Sequence, residues 1–331
     1  MRPRRRTARA CALALGCASI AGCYGEDAAT PSASAADASA EGALGSTAKP
    51  GSVITTATFA RVVDDKRGIA DGLDLDGRVS GKDDAASCHQ QDFTAPDGTP
   101  GIDNQFGTLL PIIEGFVGSE NIGQLLAAAI ANGQLLIVMS LEGVDDPVND
   151  PEVTFHLAAG RGAPLLDTSG AYIPEQTFGI DLFAAPESTL PAHITDGTLF
   201  VGPGDAVLPV RVLDANFNLS LHGVRGRAKL TPGATGGFAL SGLLAGGLRV
   251  DDFKTIMPAL NVGQELIKTA IGLIGVTADL AQDEHGTCLE VSAGLQFEAT
   301  PAFVLPADPD AGAPDAGDAS DPDADASTTG G

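Results

Sequence analysis

The feature that most restricts the fold of this chain is a long run of strand-like segments with no helical pattern between them. Residues 177–183, 198–201 and 206–213 are rich in β-branched, aliphatic and aromatic residues, and clusters of Pro, Gly and Asp separate them. Residues 217–221 and 238–240 then alternate between apolar and polar side chains, which is typical of strands with one buried face. A doubly wound parallel sheet requires helices between its strands, so this run favours an antiparallel sheet.

Helical patterns lie on both sides of this run. Apolar residues recur at three- and four-residue spacing in residues 106–116, in residues 122–130 and again within residues 250–281. Further strand patterns occupy residues 53–60, 135–141, 152–157 and 289–297. We therefore predict an α+β fold, mainly an antiparallel β-sandwich or barrel with two packed helical segments.

The N-terminus has the composition of a secretory signal. Its first nine residues contain five arginines and no acidic residue, and a short apolar run follows. That run ends in Ile20-Ala21-Gly22-Cys23, which resembles the bacterial lipobox. The resemblance implies that residues 1–22 are a signal peptide and that Cys23 is lipidated after cleavage. An ordinary cleaved signal with incidental cysteines is the alternative.

A lipid on Cys23 would hold the exported chain at a membrane without a transmembrane helix, because several acyl groups such as palmitate together bind a bilayer stably. Tyr24, and not an aspartate, follows the cysteine. By resemblance to bacterial sorting rules, this residue favours the outer membrane over the inner one. The expected partners are the membrane, through the anchor, and an envelope or extracellular ligand.

Low-complexity segments border the patterned part of the chain. Residues 23–50 are mostly small and polar, and residues 306–331 are similar but rich in aspartate. Such segments cannot bury enough apolar surface to offset their chain entropy, so we expect a disordered tether after the lipid and a disordered acidic tail. Residues 51–305 are sufficient for a single β-rich globular domain, which includes an Asp-rich loop at residues 64–104.

Charge and aromatic content narrow the range of partners. The chain has a formal net charge of −24, and the expected cleavage removes arginines but no acidic residue. A negative field of this size repels phosphate backbones, so we expect no nucleic-acid partner. The chain has no tryptophan and two tyrosines, whereas sugar- and base-stacking sites usually contain such rings.

The Asp-rich loop contains the pattern of a calcium-binding loop. Asp74 and Asp76 precede Gly77, and Ser80 and Asp83 follow it at the ninth and twelfth positions of a twelve-residue frame. This arrangement resembles EF-hand-type and dockerin-type loops, in which oxygen ligands surround the ion at a sharp glycine turn. In that frame the first position is a glycine, which offers no side-chain ligand.

Further acidic turns follow in the same loop, at Asp92, Asp97 and Asp103, and Asp97 and Asp103 are candidate ligands. Together with the preceding residues, these turns are able to surround one or two calcium ions. The alternative is that Asp and Gly are abundant here because they form turns.

The cysteines that remain after the expected cleavage and lipidation are Cys88 and Cys288. An even pair in an exported protein most simply forms a disulfide. The alternative is a zinc or copper site in which both sulfurs act together with His89 and His285.

None of the common nucleophile, zinc-protease or phosphate-loop motifs is present in the sequence. The leading hypothesis is therefore a membrane-anchored cell-envelope lipoprotein whose folded part is a non-enzymatic binding or structural module, stabilised by calcium. One alternative is a calcium-dependent envelope hydrolase that acts on a polymer. A second alternative is a metal carrier that uses the Cys/His pairs.

Overall fold

A computed structural model describes five stretches of the chain: residues 48–117, 122–182, 184–212, 215–256 and 264–307. All of them belong to one compact unit, Ser46–Gly331. The predicted lipidation site Cys23 lies outside the described residues, as do the predicted signal peptide, nearly all of the predicted tether and most of the predicted acidic tail.

The described residues form mainly strands. The strands are β1 (Lys49–Phe59), β2 (Val62–Asp64), β3 (Ile69–Ala70), β4 (Phe93–Thr94), β5 (Pro100–Ile102), β6 (Ile137–Glu142), β7 (Asp150–Arg161), β8 (Gln176–Ile180), β9 (Ser188–Thr195), β10 (Thr198–Val212), β11 (Ala215–Pro232), β12 (Phe238–Arg249), β13 (Leu280–Gln282) and β14 (Cys288–Leu305). The helices are α1 (Phe106–Val117), α2 (Ile122–Ala131), α3 (Val250–Ile256) and α4 (Gln264–Thr277), and two short 3-10 helices cover Asp65–Arg67 and Ala85–Ser87.

The large sheet closes on itself. Strand β1 pairs with both β6 and β14, and the antiparallel pairings continue through β7, β9, β10, β11 and β12 back to β14. Strand β8 lies beside this circuit, antiparallel to β7 and parallel to β14, and β13 pairs with the start of β14. The α+β prediction is confirmed, and the closed circuit corresponds to its barrel form.

Two of the predicted strands are parts of one longer strand. The prediction separates residues 198–201 from residues 206–213 at the Gly-Pro-Gly-Asp segment 202–205, but β10 continues through that segment to Val212. Its register with β11 shifts between Val201 and Ala206. Gly202 lies at this irregularity with φ +87°, and a Cβ there would collide with the carbonyl oxygen of Val224. The glycine therefore permits a local bulge within a continuous strand.

Alternating side chains fill the interior of the closed sheet. In β9, for example, buried and exposed residues alternate without exception from Ser188 to Thr195. The largest fully buried side chains include Phe155, Phe178 and Leu240. Burial of each such apolar side chain contributes roughly 1.5–3 kcal/mol, so this core is the main source of stability.

The two predicted helical segments are confirmed, and each one contains two helices. Leu126 and Ile130 of α2 pack into the core of the closed sheet. Leu110 of α1 and Ile274 of α4 pack together with Val291 of β14 in a second apolar cluster. In the described part of the chain, no helix combines the length and apolar character required to span a bilayer.

Residues 61–104 form a small lobe between β1 and α1, here called the acidic lobe. Its sheet has the order β2-β3-β4-β5, and Ala70, Phe93 and Ile102 are buried in its own small core. Asn104 joins the lobe to the rest of the fold, because its Nδ2 donates to the carbonyl oxygens of Ala60 at 3.1 Å and Asp71 at 2.7 Å. The lobe is therefore held at the end of β1 and the start of α1.

Candidate functional site

Three aspartates of the acidic lobe converge on one point. Each of Asp74, Asp76 and Asp103 offers a carboxylate oxygen, and these oxygens lie within 4.8 Å of one another. Asp74 is exposed, Asp76 is half-buried and Asp103 is 2% exposed. Half of the six predicted calcium ligands thus meet, although Asp103 lies far from the other two in sequence.

The turn after β3 positions two of these carboxylates. The Asp74 carboxylate accepts from the Gly77 N–H at 2.6 Å, and the Asp76 carboxylate accepts from the Arg78 N–H at 2.9 Å. Gly77 adopts φ +79°, a conformation that glycine reaches without steric cost. The sharp glycine turn that the sequence pattern predicts is therefore present.

Asp103 is placed under this turn by backbone pairing. Its N–H donates to the Leu73 carbonyl oxygen at 3.0 Å, as part of an isolated antiparallel bridge between the two residues. In return, its Oδ2 accepts from the Leu75 N–H at 2.6 Å. Two segments of the lobe are thereby fixed to each other, and their carboxylates face a common space.

A fourth carboxylate, Asp92, adjoins the group. Its charge acts on that of Asp103, and its Oδ2 accepts from the Ser80 N–H at 2.5 Å. The Asp92 N–H donates in turn to the Ser80 carbonyl oxygen at 3.1 Å. Ser80 is 4% exposed, and its Oγ has no hydrogen-bond partner among the described residues. The backbone of Ser80 is therefore paired with Asp92, while its buried hydroxyl oxygen has no partner among the described residues.

Burial and mutual repulsion make ionisation of the clustered carboxylates unfavourable. Burial raises the pKa of Asp103 to about 8, and the neighbouring charges of Asp279, Asp92 and Asp76 add to this effect. Burial also raises the pKa of Asp92. The cation nearest in sequence, Arg78, binds Asp76 with its Nη2 2.7 Å from Oδ2. The remaining negative charge favours a proton or a metal cation at this point.

Asp83 and Asp97 do not belong to the group of converging carboxylates. Asp83 is exposed on the surface of the lobe. Asp97 accepts from the Thr99 N–H at 3.0 Å in an exposed turn, where it lines a polar cleft together with Arg227. The structure therefore gives Asp97 a turn-forming position, and Asp92 lies where the sequence frame placed no ligand.

A buried polar chain connects the lobe to the main sheet. The Asp279 carboxylate accepts from the Ser292 N–H at 2.8 Å and from its hydroxyl at 2.6 Å. The Ser292 Oγ accepts in turn from the Gln105 N–H at 2.8 Å, and Gln105 Nε2 donates to the Gln91 carbonyl oxygen of the lobe at 2.9 Å. Burial raises the pKa of Asp279 to about 7, against the lowering effect of the Ser292 bonds. No sequence motif indicated this residue.

The disulfide prediction is confirmed: Cys88 and Cys288 are bonded, with their Cα atoms 6.0 Å apart. Nearby, Gln282 Nε2 donates to the Ala85 carbonyl oxygen at 2.7 Å, and Gln90 Nε2 donates to the Val276 carbonyl oxygen at 3.0 Å. The lobe is thus fastened to the region around α4 and β14 by both covalent and hydrogen bonds. With both sulfurs in the disulfide, no thiolate of this pair is available to bind zinc or copper.

The histidine environment closest to a catalytic arrangement is that of His156 on β7. Its ring lies 3.2 Å from Glu187 and 3.5 Å from Glu142. The Thr189 hydroxyl is 3.4 Å from Nδ1, longer than the approach expected between a nucleophile and its base. This half-buried histidine therefore lies between two carboxylates and has no nucleophile at the expected distance among the described residues.

Comparison with known proteins assigns the chain to no family. No family model matches the sequence, no curated protein matches it, and no solved structure matches the fold.

Proposed function

We propose that this chain is a cell-envelope lipoprotein whose folded part is a non-enzymatic binding or structural module stabilised by calcium. The observation that carries the proposal is the convergence of Asp74, Asp76 and Asp103, with Asp92 beside them. The arrangement suits a structural ion site, because it joins the turn after β3 to the segment that leads into α1.

The donor set favours calcium over other metal ions. All of its donors are oxygens, and no histidine or cysteine belongs to the converging group. Calcium accepts six to eight hard oxygen ligands in flexible geometry, whereas zinc prefers nitrogen and sulfur. The three converging carboxylates offer up to six oxygens, Asp92 and Ser80 adjoin them, and waters would complete the sphere. Magnesium requires a stricter octahedron and keeps more of its own water.

Ion binding would also offset the repulsion among the carboxylates of the lobe. A divalent cation keeps Asp103 and Asp92 ionised, since it replaces like-charge repulsion with attraction. The apparent stability of the fold then increases with calcium concentration, by about 2.7 kcal/mol when calcium is at 100 times its Kd. For a domain of this size that corresponds to a rise of roughly 5–10 °C in melting temperature.

Thermal unfolding in calcium and in excess chelator tests this part of the proposal. We expect calcium to raise the melting temperature of the wild-type chain and magnesium to raise it less. We expect the Asp74→Asn variant to lose most of the calcium effect, while the matched Glu265→Gln variant, at an exposed position of α4, keeps it. Equal melting temperatures of the wild type in calcium and in chelator would reject the calcium site.

The anchoring part rests on the sequence at Ile20-Ala21-Gly22-Cys23. Mass spectrometry of the chain purified from bacterial envelopes should identify Cys23 as the first residue, with acyl groups attached. The Cys23→Ser variant should leave the detergent phase and remain unprocessed. A mature chain that begins at another residue and enters the aqueous phase would refute the anchor without affecting the calcium site.

The absence of enzymatic action is tested separately, by screening the exported chain against peptidoglycan, glycan and peptide substrates. Turnover that disappears on substitution of one carboxylate would replace the binding module with the hydrolase alternative.

A further inference from the structure

The interior of the closed sheet contains a hollow at the end covered by the helices. Its volume is about 70 Å³, and it lies among inward-facing residues of the strands together with Leu126 of α2. An eight-stranded closed sheet has an interior that side chains can just fill, or that can hold one small ligand. The mouths of such sheets are common places for small-molecule sites.

The hollow is present because three inward positions carry the small side chain of alanine. Ala57 of β1, Ala206 of β10 and Ala293 of β14 line it, and all three are buried. Larger apolar residues at such positions would fill the space, as they do elsewhere in protein cores at close-packed density. An unfilled hollow lowers stability in proportion to its volume, so an occupant that fills it would stabilise the fold.

The wall of the hollow defines the chemistry of an occupant. Every lining side chain is apolar, among them Ile137, Leu190 and Leu244. Cavities of this kind stay dry, because a water molecule inside them would find no hydrogen-bond partner. Ions, sugars and peptides are excluded for the same reason. The chemistry therefore fits a hydrocarbon group.

The burial of the lining residues indicates where such a group would enter. Most of them are fully buried, but Phe59, Leu219, Leu221 and Leu295 are half-buried. Phe59, Leu219 and Leu221 also pack against the apolar cluster under α1 and α4. Apolar side chains are therefore continuous between the hollow and the cluster under the helices, so a hydrocarbon group that displaced part of this cluster would stay in apolar surroundings.

We propose that this hollow binds the end of an unbranched acyl chain, whose polar head remains outside at the helical end of the sheet. The small volume admits a linear chain and excludes a fused ring system. The chain belongs either to a free fatty acid or to a phospholipid, and the two sources share the chemistry that the wall recognises. This site is independent of the calcium site, which lies in the acidic lobe.

Calorimetric titration with dodecanoate and with a short-chain phospholipid tests the proposal. The protein is the mature chain from residue 24 onward, exported without its own lipid so that no attached acyl group competes. We expect one ligand molecule per chain in at least one titration, and the better ligand identifies the source. Heat from neither ligand would overturn the proposal.

Variants distinguish the hollow from surface adsorption. Ala206→Leu and Ala57→Leu should fill the space and weaken binding at least tenfold, while melting at or near the wild-type temperature. The control Ala239→Leu places the same side chain on a half-buried position of β12, between two inward-facing residues. It should bind as the wild type does. Unchanged affinity in folded Ala206→Leu and Ala57→Leu would overturn the proposal.

A second measurement does not depend on the folding of these variants. Under xenon pressure, the methyl resonances of lining residues such as Leu190 and Leu244 should shift in the wild-type chain, because xenon enters dry apolar cavities. If these methyl resonances do not shift under xenon pressure, the hollow is not accessible and the proposed site is refuted.

Discussion

Replacement of Asp279 by asparagine should change how the stability of the fold depends on pH. Asp279 is 4% exposed, and burial raises its pKa from 3.8 to about 7. Between those two values the folded state holds a proton that the unfolded state releases. The contribution of Asp279 to the free energy of unfolding should therefore fall as pH rises from 4 to 7, and level off above that.

The size of this effect follows from the pKa shift. Between pH 4 and 7, each pH unit lowers the free energy of unfolding by about 1.4 kcal/mol, so the whole pKa shift lowers it by on the order of 4 kcal/mol. The asparagine side chain of the variant cannot ionise, and this part of the pH dependence should disappear. The amide also replaces the acceptor of the Ser292 hydroxyl with a donor, which costs about 1 kcal/mol. At pH 8 we therefore expect the free energy of unfolding of Asp279→Asn to exceed that of the wild type by roughly 2–3 kcal/mol.

Urea unfolding at several pH values between 4.5 and 8 measures the difference, with excess chelator present so that calcium does not contribute. The control is Glu265→Gln, which removes one negative charge from an exposed position of α4. Its stability should follow that of the wild type at every pH. If the Asp279→Asn profile also runs parallel to the wild type, Asp279 is not the buried acid described here.

Three further changes test the packing around the acidic lobe. The Cys88→Ser/Cys288→Ser double variant opens a loop with a sequence separation of 200 residues, so its urea midpoint should fall by an amount equivalent to up to about 5 kcal/mol; an unchanged midpoint would contradict this. Asn104→Ala removes one buried and one partly buried hydrogen bond and a cap of α1, so the free energy of unfolding measured in urea should fall by about 2–4 kcal/mol. A fall below about 1 kcal/mol would refute the role of Asn104. Leu110→Ala should lower stability by about 2–5 kcal/mol because Leu110 is 1% exposed, and retained stability would show that α1 is loosely packed.

The fold class was predictable because apolar periodicity depends on which faces are buried. The alternation in residues 217–221 and the helical spacing in residues 122–130 both correspond to real elements, β11 and α2. Closure of the sheet was not predictable, since it depends on the pairing of β1 with β14 at opposite ends of the domain. Periodicity within one strand carries no information about its neighbours.

Strand ends were less predictable than strand cores. Residues 289–297 were expected to form the last strand, but β14 extends to Leu305 through Pro301. A proline there is tolerated because it lacks only one donor, and Pro301 accepts from the Glu175 N–H at 2.7 Å. At Gly202 the prediction ended a strand too early, because the turn-like residues there lie in a bulge within the continuous strand β10.

The candidate site was predictable only where its ligands are close in sequence. The Asp74-x-Asp76-Gly77 pattern identified one side of the group, because local turns determine the positions of those carboxylates. Asp92 was expected only as part of a further acidic turn and not as a ligand of the twelve-residue frame, and tertiary packing brings it to the group. Asp279 reaches the region through tertiary packing alone, and no local pattern indicated it. Asn104 did have a local signal, since an asparagine before an apolar helical run is a typical N-cap.

Direct titration of calcium into the metal-free chain is the most immediate test of the converging carboxylates. We predict that the wild-type chain binds calcium and that Asp103→Asn binds it at least about tenfold more weakly. The Asp97→Asn variant should bind as the wild type does, because Asp97 lies in an exposed turn outside the group. Calcium binding that is absent from the wild type, or that depends on Asp97 and not on Asp103, would contradict the account.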